Sequence, residues 1–171
     1  MNLTDLFLSQ LESEAKRTRK TLERVPEGKA DWKPHAKSMP LGRLAHLVAH
    51  MPSWLGLMIK QDELDVVPKP GAAPSVSMKP LNTGAEFVAA FDADVAAARD
   101  ALKATTDAHL MTHWKLLAAG KVVGDEPRYV VIRDTFAHLA HHRAQLGLYL
   151  RLNDIAVPSV YGPSADDQTF A

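Results

Sequence analysis

An all-α fold, four amphipathic helices bundled as a single domain over residues 1–171, is what the sequence predicts. Two observations carry this. Four stretches place apolar residues at three- and four-residue steps, the spacing that lines one face of a helix. Between them lie segments rich in proline and glycine, which interrupt helices.

The first helix is expected over Asn2–Arg24, where Leu3, Leu6, Phe7, Leu11 and Leu22 recur among charges and Asn2 or Thr4 suits the N-cap. Val25-Pro26-Glu27-Gly28 ends it. Ala30–Pro40 then reads as a loop whose Trp32 covers one end of the core. The second helix runs from Leu41 to Gln61 on Leu44, Val48, Met51, Leu55 and Met58, with a kink or local break at Pro52. Asp65–Pro80 carries Pro68, Pro70, Gly71, Pro74 and Pro80 and is an extended crossover to the third helix. That helix occupies Thr83–Ala104, opened by a Thr83/Glu86 capping box. Thr105–Pro127 is an irregular excursion or a small β-hairpin around Ala118-Ala119-Gly120. The fourth helix is Arg128–Leu152, with Pro127 at its start and Asn153-Asp154 at its end. The turn-rich tail from Val157 folds back on the helices.

Composition excludes several function classes. Twenty basic and twenty acidic residues balance, so the basic excess of a nucleic-acid surface is absent. No run reaches the apolar length of a membrane span, and MNLTDLFLSQLESEAKR does not read as a signal peptide. There is no cysteine, which removes disulfides, thiolate ligands and a cysteine nucleophile, and favours a cytoplasmic location.

Candidate chemistry sits on the histidines. His138 and His142 are four residues apart, which puts both imidazoles on one helix face, one turn apart, where they can share a transition metal. His46 and His50 repeat the spacing. Ala45–His50 and Ala137–His142 both read A-H-L-x-x-H. By helical phase each pair lies beside its helix's apolar stripe and faces a gap between helices. The second and fourth helices would then hold a divalent metal that acts as a Lewis acid or activates water or a thiol. Neither pair contains the glutamate of an HExxH protease motif. His141 is a candidate base or outer partner. Arg143, permanently charged, is a candidate to recognise a carboxylate or order an acidic neighbour. His35, His109 and His113 sit in loop or irregular segments and are weak ligand candidates.

The run HLAHHRAQLGLYLRLNDIAVPSVYGPSADD resembles the C-terminal part of the DinB/YfiT-like family, with its H-x-x-H-H-R-G-Q-L and Y-L-R pattern and a P-x-x-Y-G-P-S-A-D ending. Asp31–His35, Lys37–Ala45 and Pro52-Ser53-Trp54 agree in the same order, so the resemblance covers most of the chain. It implies a DinB-type four-helix bundle with a long crossover between helices two and three. It implies a homodimer, and a three-histidine site for nickel, zinc or a similar divalent ion. By position the helix-four ligands are His138 and His142. The family's helix-two histidine falls where this chain has Leu47. His50, three residues on, returns to within about 60° of that direction and is the better substitute; His46, one residue early, is the alternative third ligand. Ala144 stands where the family has glycine, a mild and stabilising change in a helix.

Several members of that family are transferases or isomerases that use a low-molecular-weight thiol, so the resemblance implies a metal-dependent transferase acting on a small-molecule substrate. Two rivals stand beside it: a non-catalytic stress-response or binding protein with a degenerate metal site, and a metal-dependent hydrolase that needs no thiol. The family's name refers to damage-inducible genes, and induction says nothing about chemistry.

Overall fold

A computed structural model of the chain describes residues 2–67 and 80–169. Among the described residues six helices and one three-stranded sheet are present: α1 Leu3–Leu22, α2 Leu41–His50, α3 Ser53–Lys60, β1 Glu63–Asp65, α4 Gly84–Ala104, α5 Asp107–Leu110, β2 His113–Ala118, β3 Lys121–Pro127 and α6 Arg128–Leu152. The expectation of an all-α chain is therefore corrected. Most of the structure is helical, but a small sheet exists.

Local chemistry sets the helix limits. Asn2 caps α1, its side chain accepting from the Asp5 N–H at 2.8 Å. Thr83 and Glu86 close the capping box of α4, each side chain bonding the other's backbone N–H. A further cap comes from far along the chain. The Asp107 carboxylate, in the first turn of α5, accepts the N–H groups of Leu3 (2.9 Å) and Thr4 (3.1 Å), two of the donors a helix start leaves unpaired. Proline at 52 breaks the second helical stretch outright: α2 stops at His50 and α3 begins at Ser53, whose hydroxyl donates to the His50 carbonyl at 2.7 Å.

The excursion before α6 is a hairpin. β2 and β3 pair antiparallel from His113↔Pro127 to Ala118↔Lys121, with a bulge between Leu116 and Leu117. Its two turn residues, Ala119 and Gly120, both have positive φ (52° and 79°), the backbone a tight hairpin turn demands. Asp65 holds that turn, its carboxylate accepting the Ala119 and Gly120 N–H groups at 3.0 and 2.7 Å. Asp65 ends β1, which lies parallel to β2 with Glu63 opposite Lys115. Asp65, the first residue of the expected extended connection, is thus the end of an edge strand. The rest of that connection, residues 68–79, lies outside the described residues.

α4 packs on α1, α2 and α3, and α6 on the same three helices. Phe7 and Leu11 of α1, Leu44 and Val48 of α2, Leu55 of α3, Phe87 and Phe91 of α4, and Ile132, Leu139 and Leu146 of α6 are all buried between them. Trp32 is part-buried at the edge of this core, edge-on to Tyr149 with ring centres 5.4 Å apart. The Tyr149 hydroxyl donates to the Met39 carbonyl and so ties the loop before α2 to α6.

A buried arginine fastens the periphery. Arg128, 1% exposed, donates to the carbonyls of Met58, Gln61 and His113 and to the Thr112 hydroxyl, and pairs with Asp62. One guanidinium thereby joins the end of α3, the start of the hairpin and the first turn of α6. The tail after α6 does fold back. Arg151 pairs with Asp166, which also accepts the Val157 N–H at 2.8 Å, and Ser159 is fully buried.

Candidate metal centre

α6 buries Ile132, Phe136, Leu139, Arg143, Leu146 and Leu150 along one stripe. His138 and His142 flank that stripe, as their phase requires. Their rings are 4.6 Å apart between centroids, and the two Nε2 atoms face each other at 2.8 Å. The outer atoms settle the tautomers. Gln145 Oε1 lies 2.8 Å from His142 Nδ1 and accepts its proton, while the Gln145 amide N–H donates to His141 Nε2 at 3.1 Å. His142 therefore keeps a lone pair at Nε2, and His138 donates to it. Desolvation, with smaller contributions from the charges of His142 and His141, holds His138 below its ordinary pKa and so in the neutral form a metal needs.

His138 also lines a mainly apolar cavity of about 350 Å³ together with Trp54, Met58, Leu64, Trp114 and Leu116. The Trp54 ring centre is 5.6 Å from that of His138. A larger cavity, about 590 Å³, is also lined by Trp54, together with His46, Leu47, His50 and Arg43. Here the second pair sits. The His46 and His50 rings are 4.4 Å apart, and His50 Nδ1 donates to Asp94 Oδ2 of α4 at 2.7 Å. Leu47, where the resembled family places its ligand, packs against the hydrophobic core.

The two pairs thus form, but they do not converge. Among the described residues no group of three or more His, Asp or Glu side chains is gathered to hold one ion. A three-histidine set does not fit this arrangement, because His50 is turned to Asp94. A two-imidazole edge does fit at His138 and His142. Two ligands of a tetrahedral ion at about 2.0–2.1 Å lie about 3.3 Å apart, so the Nε2 atoms need separate by only about half an ångström. Binding there would require the single proton between them to move from His138 Nε2 to its Nδ1, the tautomer that leaves both Nε2 lone pairs for the ion.

The other candidates are accounted for differently. Arg143 does recognise a carboxylate, but the carboxylate is the chain's own Glu14. Both side chains are 2% exposed and meet at 2.6 Å, with Thr18 and the Tyr161 hydroxyl as further partners. His141 is exposed and held by Gln145. His35 accepts the Lys37 N–H, His109 Nε2 donates to the Ile59 carbonyl, and His113 pairs with Asp125. Asp94 and Gln145 are the site residues that sequence reasoning missed as partners. Gln145 has a signal in its i+3 and i+4 spacing from His142 and His141; Asp94 has none.

Fold and site together define a mainly helical protein with paired helix histidines and a small sheet beside them. The model of the DinB superfamily matches residues 10–146, and the chain belongs to that superfamily. Its fold is DinB-like. It is similar to a DinB-like protein from Bacillus cereus, with a TM-score of 0.67 and 22% identity over 91% of this chain and 95% of that one. A DinB-like protein from Bacillus subtilis gives 0.65 and 12% identity over 95% and 99%. At these identities the likeness establishes the fold. No curated protein matches the chain. None of the described helices is long and apolar enough to cross a membrane.

Proposed function

We propose that this chain is a metal-dependent enzyme of the DinB superfamily whose divalent ion, nickel or zinc, is held by His138 and His142. The observation that carries the reading is the convergence of the two Nε2 atoms, with the His142 tautomer fixed by Gln145, beside the apolar cavity that His138 lines. An acceptor on the far nitrogen is the arrangement that orients metal-bound histidine. When bound, the ion supplies Lewis acidity that lowers the pKa of a thiol or water at its open positions.

The chain's own groups do the rest. Trp54, Leu64 and Leu116 offer an apolar wall to a small-molecule substrate beside His138 and keep bulk water from that side. The thiol-dependent transferase chemistry rests on the family resemblance alone, as do homodimer assembly, a cytoplasmic location and the DinB-type bundle in which α2 and α3 count as one helix.

Metal analysis of the purified protein tests the first step. The expected result is bound metal that is lost in the His138→Ala/His142→Ala double variant; metal content unchanged in that variant sinks the reading. A substrate panel run with and without low-molecular-weight thiols separates a transferase from a hydrolase.

A second reading, a non-catalytic binding protein with a degenerate site, is favoured by one observation: Leu47 packs against the core and His50 is engaged by Asp94, so the third ligand is not delivered. It predicts a melting temperature indifferent to chelator.

A further inference from the structure

Two of the chain's three tryptophans, Trp54 and Trp114, line the apolar cavity of about 350 Å³ beside His138. Leu64, Leu116 and Val131 add aliphatic wall. Among the described residues no lysine or arginine lines it. Its one carboxylate, Asp134, is 62% exposed and bonded to Arg133.

Hydrogen-bonding groups on this lining are mostly committed. The Thr135 hydroxyl donates to the Val131 carbonyl at 2.9 Å, and His138 Nε2 faces His142. Trp114 is different. Its side chain belongs to β2 and is buried, 3% exposed, and its indole N–H has no acceptor among the described residues. Buried indole N–H groups usually find a partner, and one left without costs stability. We infer that this cavity receives an uncharged, flat aromatic molecule carrying one acceptor oxygen, with the Trp114 N–H as the donor that selects it.

Shape, charge and the unpaired donor each bear on the choice. Indole rings give a planar ligand large contact area and favourable ring-to-ring geometry. The volume stands at the low end of ligand pockets, which run about 300–1,000 Å³, and suits a two-ring molecule. An anion would shed its hydration with no cation on the lining to meet it, and would face Asp134. A cation is attracted to indole faces but leaves the Trp114 donor unpaired. A carbonyl oxygen pairs it. In the present orientation of the ring the N–H is covered by protein atoms. No hydrogen bond holds that orientation, so a modest turn of the indole delivers the N–H to the cavity; side-chain turns of this kind commonly accompany binding. A site that hydrogen-bonds a ligand oxygen rejects the analogue lacking it, which makes Trp114 a specificity-determining residue. As a substrate class this rests on the metal-dependent reading above; as a binding site it needs no ion.

Four compounds of nearly equal shape test it on chelator-stripped full-length chain: 2-acetylnaphthalene, 2-isopropenylnaphthalene, naphthalene-2-carboxylate and 1-(2-naphthyl)ethylammonium. Calorimetry gives the affinities, and the three indole N–H signals of a proton–nitrogen correlation spectrum give the location. The ketone should bind tightest, by about tenfold over the alkene. Only the ketone should move the Trp114 N–H signal downfield, and Trp32, which does not line the cavity, should not respond. Trp114→Phe should keep alkene binding and erase the ketone's advantage; should that variant fail to fold, the wild-type N–H shift decides. Equal binding of ketone and alkene, an ion that binds as tightly as the ketone, no binding of the ketone, or a Trp114 signal that stays in place overturns the inference. Ketone binding with the Trp114 shift in a chain that takes up no metal at His138 and His142 upholds the inference and removes the metal reading. Metal uptake without ketone binding does the reverse.

Discussion

Replacing Arg143 by methionine separates a structural role from a catalytic one. Its guanidinium makes three bonds, to Glu14 at 2.6 Å, to Thr18 at 2.9 Å and to the Tyr161 hydroxyl at 2.7 Å. Removing one partner of a buried ion pair costs about 3–5 kcal/mol, because the other charge stays buried. Glu14 retains Arg17 at 2.9 Å and the Tyr161 hydroxyl, which places the loss at the lower end, about 3 kcal/mol. For a chain of this size each kcal/mol lowers the melting temperature by about 2–4 °C, so the variant should melt about 6–12 °C lower. Urea unfolding should give the same loss at an unchanged m-value. Replacing both partners with apolar side chains, Glu14→Leu with Arg143→Met, should recover most of it, since no buried charge remains. Metal uptake should not change, for Arg143 lies on the buried stripe and the histidines beside it. A loss under about 1 kcal/mol, a double variant as unstable as the sum of the singles, or altered metal uptake would refute the reasoning.

Three further outcomes follow from the same physics. Arg128→Met leaves the Met58 carbonyl, in a buried bond, and the carbonyls of Gln61 and His113, in part-buried ones, without this donor; at about 1–3 kcal/mol for a buried orphan and less for the other two, the loss should reach about 2 kcal/mol or more in urea unfolding. Gly84→Ala places a Cβ 2.8 Å from the Glu23 carbonyl oxygen. The overpacking, about 1–3 kcal/mol, should outweigh the helix-propensity gain of about 1 kcal/mol and lower the melting temperature. The Asp107 carboxylate is held below its ordinary value of 3.8, chiefly by the Leu3 N–H, against desolvation as the next largest effect, with the Thr4 N–H adding to the lowering. Its folded pKa is thus lower than its unfolded one, so its stabilisation is present above the unfolded value and is lost as pH falls through the folded one. Urea midpoints measured from about pH 5 downward should drop less steeply in Asp107→Asn than in wild type.

Helix limits were legible because caps are local. Asn2, the Thr83/Glu86 box and Pro127 act within a turn of where they stand, and α1, α4 and α6 begin where those residues predict. The break at Pro52 was legible for the same reason. β1 was not: three residues carry no period, and its partner Lys115 is far along the chain. Pair formation by the histidines followed from helical phase alone. Where each pair faces did not, because that depends on Asp94 and Trp54, which helix packing brings near. Arg143 shows the same limit. Its spacing marked it as special, but Glu14, which stands 129 residues away, decided that its charge serves the fold.

The ion pair of α1 and α6 also has an order in time. Glu14 leaves the ribosome well before Tyr161, whose hydroxyl bonds both Glu14 and Arg143 and which follows 147 residues later. At about 5–20 residues per second that interval is roughly 7–30 s. Through most of it the first helix carries a carboxylate on the face it must eventually bury without Arg143, which follows Glu14 by 129 residues, and through all of it without Tyr161. The nascent chain can gather α1 to α4 loosely, but that face stays hydrated until the fourth long helical stretch and the tail emerge. Closure of the core thereby waits for Arg143 and Tyr161, and a chain stalled or shortened before them would present a wet seam instead of a finished interior.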